Sequence, residues 1–282
     1  MATHFLEIFV FSVLVLTSYA NGAYEDDVSF DQNYFSLWGS NHLTRVENNK
    51  GVHLLLDQYS GGGGFRSISD YGSGRFGMRM KLPYANTTGI IISFYLTSAP
   101  DSYNPGNHDE IDFEFIAGTD LQTNIFAGDS GNRGERYQLW FDPRKDFHLY
   151  EILWNPNIVV FYVDKVPIRV FKNNKDKGVN YLSNPMHTEA SIWTADWAGA
   201  VDWSQGQFIT NYRRFGIDGC VSQNTSLNQE CLSSHLSWNV QKELSPREQM
   251  MHRRMRKKHL VYDYCLDKER QQNHPECLVP PI

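Results

Sequence analysis

The segment HDEIDFEF, residues 108–115, alternates acidic and apolar side chains with a period of two. Side chains at i, i+2 and i+4 of a β-strand point to the same face. Glu110, Asp112 and Glu114 therefore share one face, with His108 at its start. The apolar residues between them point to the opposite face and enter a core. The period predicts a strand that carries three carboxyl groups on one side and a hydrophobic surface on the other.

Three acids on one strand face repel one another, and a purely structural strand would place Thr, Ser or Lys there. Glycoside cleavage needs two carboxyl groups in different protonation states, one as nucleophile or base and the other as acid. A central Asp helps to hold the protonated form and can hydrogen-bond the nucleophile. The strand spacing leaves open whether the outer carboxyls lie about 5–5.5 Å apart, as in retaining enzymes, or about 6.5–9.5 Å apart, as in inverting ones.

A calcium or zinc site is the competing interpretation of a His and several acids on one face. The segment is not accompanied by a loop rich in Asp or Asn with calcium-binding spacing, which argues against a metal. The run SGGGG, residues 60–64, lacks the Gly-Lys-Ser/Thr ending of a phosphate loop and is predicted to be a flexible turn. We therefore expect no metal and no cofactor, since two carboxyl groups supply the acid, the base and the nucleophile.

Short segments with a period of two, or apolar throughout, fill residues 50–220. RFGMRMKL, GIIISFYL and NIVVFYV are examples, and Asp164-Lys165 between FYV and VPIRVF predicts a hairpin turn. A chain of 282 residues is long enough for one large β domain with a sizeable core. The pattern predicts an all-β protein, an antiparallel sandwich or jelly roll, over residues 21–215.

The last part of the chain, residues 216–282, has a different character. Ser245-Pro246-Arg247-Glu248 is a capping box with Pro at the first helical position, and it predicts a helix through residues 249–262. The basic run 253–258 is expected to be a solvated helix face rather than an anion site. All four cysteines lie here: Cys220, Cys231, Cys265 and Cys277. Of the three pairings, we expect the sequential one, and the wide spacings disfavour zinc.

Residues 1–20 are interpreted as a secretory signal peptide. The apolar run from Ile8 to Leu16 is too short to span a bilayer, and Ser18-Tyr19-Ala20 is a small-x-small cleavage signal. We expect a secreted protein whose mature form has no membrane contact. The net charge of −6 gives a nucleic-acid partner no general electrostatic support. The candidate N-glycosylation sites are Asn86 and Asn224.

HDEIDFEF resembles the signature of xyloglucan endotransglucosylase/hydrolases, the plant cell-wall members of glycoside hydrolase family 16. Similar motifs extend over nearly the whole mature chain: WGSNH, GSGRF, LQTN, LWFDP, FYVDKVPIRV, YDYCLDKER and PEC. The resemblance implies a β-jelly-roll with a cleft across a curved concave sheet, and a C-terminal extension. It also implies a retaining mechanism on a β-1,4-glucan, with Glu110 as nucleophile, Glu114 as general acid/base and Asp112 as helper.

The resemblance implies a set of sugar-binding residues along the cleft. Tyr95 borders the donor side, and Trp193 stacks on the reacting sugar. Two further tryptophans, Trp140 in LWFDP and Trp154 in ILWNP, are expected to be core. The remaining implied residues, which border the nucleophile, bind sugar hydroxyls or flank the acceptor, are His108, Gln122, Asn124, Asn132, Arg133, Gly134, Arg136, Asp196, Trp197 and Arg270.

Three segments depart from the family pattern. The link FIAGTD is short and lacks a sequon after the acid/base, TSAPDSYNPGN is longer than usual, and ADWAGAVDWSQ is abbreviated. We expect a cell-wall, apoplastic xyloglucan endotransglucosylase that joins a polysaccharide donor to an oligo- or polysaccharide acceptor. An endohydrolase of xyloglucan or another β-glucan is the alternative. A non-catalytic carbohydrate-binding jelly roll is disfavoured by the intact carboxylate trio.

Overall fold

The structure, a computed structural model, describes residues 28–100, 106–222 and 229–279. The predicted signal peptide, the Asn224 sequon and part of the loop TSAPDSYNPGN lie outside these residues. In the described part, sixteen strands form two antiparallel sheets of eight strands each. The prediction of an all-β sandwich is confirmed.

The strands in chain order are β1 (Tyr34–Trp38), β2 (Leu43–Val46), β3 (Gly51–Leu56), β4 (Gly63–Ser67), β5 (Tyr71–Lys81), β6 (Ile90–Thr97), β7 (His108–Ile116), β8 (Leu121–Asp129), β9 (Glu135–Tyr137), β10 (His148–Trp154), β11 (Ile158–Val163), β12 (Val166–Lys172), β13 (His187–Thr194), β14 (Phe208–Arg213), β15 (Ile217–Val221) and β16 (Leu260–Asp263). The helices are α1 (Phe30–Asn33), α2 (Pro246–His259) and α3 (Lys268–Gln271).

The sheet that carries HDEIDFEF, called the cleft sheet below, has the order β1-β4-β13-β6-β7-β8-β9-β16. The other, called the back sheet, has the order β12-β11-β10-β5-β14-β3-β2, with β15 beside β5. HDEIDFEF forms most of β7, near the middle of the cleft sheet. Three strands lie on one side of it and four on the other, so both flanks of β7 can line an extended cleft.

The apolar face of β7 anchors the strand to the back sheet. Ile111, Phe113 and Phe115 are at most 1% exposed. Phe113 meets the rings of Tyr150 and Phe161 edge to face, at centroid distances of 5.7 and 5.1 Å. Full burial of such a ring stabilises the fold by about 1.5–3 kcal/mol. This packing fixes the alternation, so the acids are held on the outer face.

The hairpin and glycine predictions have opposite outcomes. Asp164 and Lys165 adopt positive φ angles of 48° and 64°, and the predicted turn joins β11 to β12. The prediction of a flexible turn at SGGGG is wrong for its second half, because β4 begins at Gly63. A Cβ on Gly62 would lie 1.9 Å from the carbonyl oxygen of Ile192. These glycines therefore allow two backbones to approach closely.

The capping box of α2 is confirmed, since the Ser245 hydroxyl accepts from the Glu248 amide while the Glu248 carboxylate accepts from the Ser245 amide. The helix ends at His259, not at residue 262 as predicted. Residues 260–263 instead become β16, which pairs with β9 at the edge of the cleft sheet. An open strand edge offered backbone partners that a longer helix would have left unpaired.

The predicted disulfides are confirmed as Cys220–Cys231 and Cys265–Cys277. A smaller apolar cluster also joins the extension to the back sheet; it consists of Leu153, Ile158, Val160, Tyr162 and Leu244. Strands β10 and β11 are therefore buried on both faces, which explains why their sequences are apolar throughout.

Trp154 is core, with 1% of its surface exposed. The prediction that Trp140 is core is wrong. Its side chain is 39% exposed and packs against Phe141 and His259. Strand β9 ends at Tyr137, so the chain has left the sheet before Trp140 and its ring does not enter the sandwich. Among the described residues, no helix has the length and apolar character that crossing a membrane requires.

Candidate active site

The three acids of β7 line a cleft of about 430 Å³ on the open face of the cleft sheet. The strand delivers Glu110, Asp112 and Glu114 to this cleft as the period-two argument predicts. The other residues that line it are Ile116, Asp120, Gln122, Asn124, Phe126, Arg136 and Trp197. Apart from Ile116 they come from β8 and β9, the turn before β8, and the segment after β13.

His108 holds the first acid from one side. Its Nε2 lies 3.2 Å from Oε2 of Glu110, and its Nδ1 lies 2.8 Å from the carbonyl oxygen of Gly106. The ring stacks on Phe126 at a centroid distance of 5.0 Å. The hydrogen bond to Glu110 raises the pKa of His108, so the imidazole is biased towards its charged form. Glu110 is thereby oriented by a cationic donor.

Asp112 lies between the two glutamates and is only 4% exposed. Burial and the charges of Glu110 and Glu114 raise the pKa of Asp112 well above its ordinary value. The protonated form of Asp112 is therefore favoured, and its side chain shares a hydrogen bond with Glu110. A protonated Asp can donate to the Glu110 carboxylate and so help to orient it.

Glu114 has the second perturbed carboxyl group. Burial and the nearby Glu110 charge raise the pKa of Glu114 from 4.5 to about 7. Its Oε2 accepts a long hydrogen bond of 3.4 Å from Nε2 of Gln122. A carboxyl group with this pKa can hold a proton in mildly acidic solution and release it when required. The cleft thus contains an oriented carboxylate and a carboxylic acid on the same strand.

The neighbouring strands add polar side chains in register with the acids. Tyr95 of β6 stands opposite Asp112, and Asn124 of β8 stands on its other side. Gln122 stands opposite Glu114. The Asn124 carboxamide oxygen accepts from the backbone amide of Arg133 at 2.9 Å, which leaves its NH₂ group for other partners. Tyr95, Gln122 and Asn124 therefore occupy the face on which the sequence placed them.

The four residues of NRGER that were expected near the acceptor have different positions. Arg136 is exposed and lines the cleft. Asn132 is exposed and accepts a hydrogen bond from Arg270 of α3. The carbonyl oxygen of Gly134 accepts from the amide of Tyr264 at 3.1 Å. Arg270 and Asn132 thus join the extension to the rim beside the cleft.

Arg133 differs from the expectation of a sugar contact. It is 3% exposed, and its guanidinium donates to Asp129 at 2.8 and 2.9 Å and to Glu276 at 2.6 Å. A further bond reaches the carbonyl oxygen of Ile125. Three acceptors behind the cleft explain this position, because a buried guanidinium requires them. Arg133 therefore supports Asn124 through its backbone and offers a sugar no side-chain donor.

The segment WTADW places two tryptophans near the cleft. Trp193 at the end of β13 is 37% exposed, and Trp197 is 69% exposed and lines the cleft. Asp196 begins a short 3-10 turn, Asp196–Ala198, and is also exposed. Exposed rings of this size are costly in water and are typical of surfaces on which sugar rings stack.

Two kinds of cleft residue were missed from the sequence. Phe126 follows Asn124 by two positions, so the same period places it on the cleft face, but no role was predicted for it. Glu189 of β13 carried no recognisable motif, although it is 8% exposed and accepts a hydrogen bond from Tyr95. In the part of the chain that the structure describes, no group of three or more His, Cys, Asp or Glu side chains is arranged to hold a metal ion.

Family models match two parts of the chain. Residues 30–214 match Glycosyl hydrolases family 16, and residues 233–277 match the Xyloglucan endo-transglycosylase (XET) C-terminus. The chain is 44% identical to Xyloglucan endotransglucosylase/hydrolase protein 3 from Arabidopsis thaliana, over 95% of this chain and 98% of that protein. It is 41% identical to Xyloglucan endotransglucosylase protein 34 from Populus tremula x Populus tremuloides, over 89% and 88% of the two chains.

Two solved structures share the fold at lower identity. A prokaryotic beta-1,3-1,4-glucanase (lichenase) derived from a mouse hindgut metagenome aligns with a TM-score of 0.55 at 23% identity, over 67% of this chain and 94% of that one. Apo Crh5 transglycosylase aligns with a TM-score of 0.54 at 24% identity, over 71% and 82%. These likenesses show the architecture of the sandwich.

Proposed function

The chain belongs to glycosyl hydrolases family 16 and to its xyloglucan endotransglucosylase/hydrolase group, and on that premise we propose that it is a xyloglucan endotransglucosylase. It cuts the β-1,4-glucan backbone of a donor chain and joins the new end to an acceptor chain. The observation that carries the proposal is the pair of unlike carboxyl groups on β7, an oriented Glu110 and a Glu114 with a pKa of about 7.

In the first step, the Glu110 carboxylate attacks the anomeric carbon of the donor. The bond between that carbon and the glycosidic oxygen breaks, and Glu114 gives its proton to the departing oxygen. Asp112 keeps its own proton and donates to Glu110, which positions the nucleophile. The product is a glycosyl ester on Glu110 and a released glucan fragment.

In the second step, a hydroxyl group of the acceptor attacks the same carbon. Glu114, now ionised, removes the proton of that hydroxyl, and Glu110 leaves as a carboxylate. Two displacements at one carbon retain the anomeric configuration. The enzyme returns to its starting protonation state, so the cycle needs no cofactor.

Transfer rather than hydrolysis requires an acceptor to outcompete water for the ester. Support comes from the acceptor side, where the C-terminal extension adds β16 to the cleft sheet. Tyr262 of β16 pairs in register with Arg136, which itself stands beside Gln122. Together with Arg270 on α3, these residues extend the polar surface beyond β9. We assign this surface to acceptor binding.

The same reasoning extends to where the enzyme works. A signal peptide at residues 1–20, two disulfides and a polysaccharide substrate are consistent with secretion to the cell wall. Asn86 is exposed, and its carboxamide oxygen accepts from the Thr88 hydroxyl of its own sequon at 2.8 Å. We assign Asn86 as the candidate glycosylation site within the described residues.

The test is a labelled-acceptor assay with the secreted, disulfide-bonded protein. Xyloglucan and a fluorescent xyloglucan oligosaccharide are incubated with the enzyme, and label in polymer is compared with new reducing ends. We expect label to enter polymer with little gain in reducing ends. Reducing ends without label would replace the transferase by the hydrolase. Running the same assay on other β-glucans identifies the donor.

A further inference from the structure

A line of four charged side chains leads from the surface to Tyr95, beside the three acids of β7. Arg66 of β4 donates to Asp70 at 3.0 Å. Asp70 lies 3.3 Å from Nδ1 of His187, and Nε2 of His187 lies 2.7 Å from Oε1 of Glu189. The other oxygen of Glu189, Oε2, accepts the hydroxyl proton of Tyr95.

The protonation states along this line follow from its geometry. Both ring nitrogens of His187 face carboxylate oxygens, and only the imidazolium has a proton on each. Burial works against this state, but the hydrogen bonds to Asp70 and Glu189 raise the pKa of His187. The imidazolium balances Glu189, and Arg66 balances Asp70. Glu189, which is 8% exposed, thus accepts with one oxygen from His187 and with the other from Tyr95.

The contact with Glu189 determines which way the Tyr95 hydroxyl points. A carboxylate has no proton to give, so the phenol donates and Glu189 accepts. Burial and the Glu189 charge raise the pKa of Tyr95 well above its ordinary value, so the phenol keeps its proton. The lone pairs of the phenol oxygen then remain available on the side of Asp112, which Tyr95 faces across the strand pair.

We propose that Glu189 is a positioning residue that turns Tyr95 into a hydrogen-bond acceptor and a source of partial negative charge towards the donor sugar. The reaction builds positive charge on that sugar at each displacement. A polarised phenol oxygen near the anomeric carbon stabilises this charge more than it stabilises the ground state. The inference rests on the proposed function, because it needs a glucan in the cleft.

The competing role is a structural tie between β6 and β13. A matched tie exists on the same two strands, where the hydroxyls of Ser93 and Ser191 are 2.8 Å apart. Replacing that bond by Ser191→Ala removes one hydrogen bond between the strands and leaves Tyr95 untouched. The two variants therefore separate a loss of strand cohesion from a loss of phenol orientation.

The experiment is a double-mutant cycle on kcat and KM with Tyr95→Phe, Glu189→Gln and the double variant. Glutamine can reverse the hydrogen bond, because its NH₂ group donates to the phenol. We expect each single variant to lower kcat by roughly tenfold or more with KM changed less than about twofold, as for a group acting in the transition state. The kcat of the double variant should lie within about twofold of the kcat of the slower single variant. The two losses should not multiply, because Glu189 acts through Tyr95.

Ser191→Ala should keep kcat within about twofold of the wild type. Glu189→Gln with an unchanged kcat, or effects that multiply in the double variant, would overturn the inference. If Glu189→Gln does not fold, His187→Gln takes its place in the cycle. Losses in kcat that multiply when His187→Gln is combined with Tyr95→Phe would again overturn the inference. If the wild type turns over no β-glucan, the proposed function is wrong. That failure is distinguishable from a failure of the Glu189 inference, which requires an active wild type.

Discussion

Two groups of buried carboxylates lie on adjoining parts of the cleft sheet and differ in what neutralises them. In the first, Glu110, Asp112 and Glu114 of β7 face the cleft without an arginine hydrogen-bonded to any of them among the described contacts. In the second, which we call the junction, arginines surround Glu135 and Glu276 where the extension meets β9. The junction pairs are Arg133 with Glu276 at 2.6 Å, Arg256 with Glu135 at 2.9 Å and Arg169 with Glu135 at 3.8 Å.

The difference shows how the same residue type serves chemistry in one place and architecture in the other. A buried carboxylate that is paired with a guanidinium stays ionised and holds its surroundings together. Buried carboxyl groups whose charged neighbours are mainly other carboxyl groups cannot all ionise. Some of them therefore keep their protons at a pH where a free carboxyl group would be ionised. Glu114 and Asp112 are in this second situation, since the pKa of each is raised; that of Glu114 reaches about 7, where a carboxyl group can give up and take back a proton.

The largest effect should come from Glu110→Ala, which removes the nucleophile from the cleft group. We expect transfer and hydrolysis to fall on the order of 10⁴-fold, as when other covalent nucleophiles are deleted. The melting temperature should stay the same or rise, because the Glu110 charge that raises the pKa values of Asp112 and Glu114 is gone. The labelled-acceptor assay and thermal unfolding measure the two quantities. Retained transfer would show that the nucleophile lies elsewhere.

The corresponding experiment in the junction is Arg133→Met, which should lower the free energy of unfolding. Removal of the guanidinium leaves Glu276 and Asp129 without their cation, and breaking a buried pair typically costs about 3–5 kcal/mol. Urea unfolding gives the free energy. Arg213→Met is the matched control, since Arg213 pairs with Glu47 on the surface and is 42% exposed, so its loss should cost less than about 1 kcal/mol. Equal losses in both variants would remove the distinction between the junction and a surface pair.

A smaller effect is expected from pH, and it sharpens the comparison at Glu114. The rate constant kcat/KM should fall above about pH 7, because the acid must be protonated when the first bond breaks. The raised pKa of Glu114 means that the folded state binds more protons than the unfolded one between about pH 4.5 and 7, so stability falls by up to about 3 kcal/mol as pH rises through that window.

Glu114→Gln should abolish the pH dependence of stability that Glu114 contributes. The measurements are kcat/KM for the wild type, and urea unfolding for both proteins, across this pH range. A wild-type rate that stays constant well above pH 7 would contradict the assignment of Glu114 as the acid. A stability profile that is the same in Glu114→Gln would assign the titration to another group.

The features that sequence predicted are those whose cause is local. Alternation in HDEIDFEF gave the two faces of β7, and the Asp164-Lys165 turn and the Ser245 capping box depend only on neighbouring residues. The two disulfides close short loops and followed from spacing. Family resemblance then supplied the roles of Tyr95, Gln122 and Asn124, which local pattern does not contain.

The features that sequence missed depend on partners far along the chain. Arg133 is buried because Glu276, in the extension, reaches it, and residues 260–263 form a strand because β9 has an open edge. The glycines at 62–64 were interpreted as a loop because their partner backbone is 130 residues away. Glu189 was missed for the same reason, since its partner Tyr95 belongs to another strand.

The strand order of the cleft sheet has a consequence for biosynthesis. Its two outer strands are β1 and β16, the first and the last strands of the described chain. Synthesis proceeds from the N-terminus, so the part of the cleft sheet beyond β9 can form only after residues 260–263 have been made. A chain cut short before residue 260 has the nucleophile and the acid but lacks the surface assigned to the acceptor. The strand order therefore delays completion of the cleft sheet until β16 has been made, because a chain that ends before β16 lacks one outer strand of that sheet.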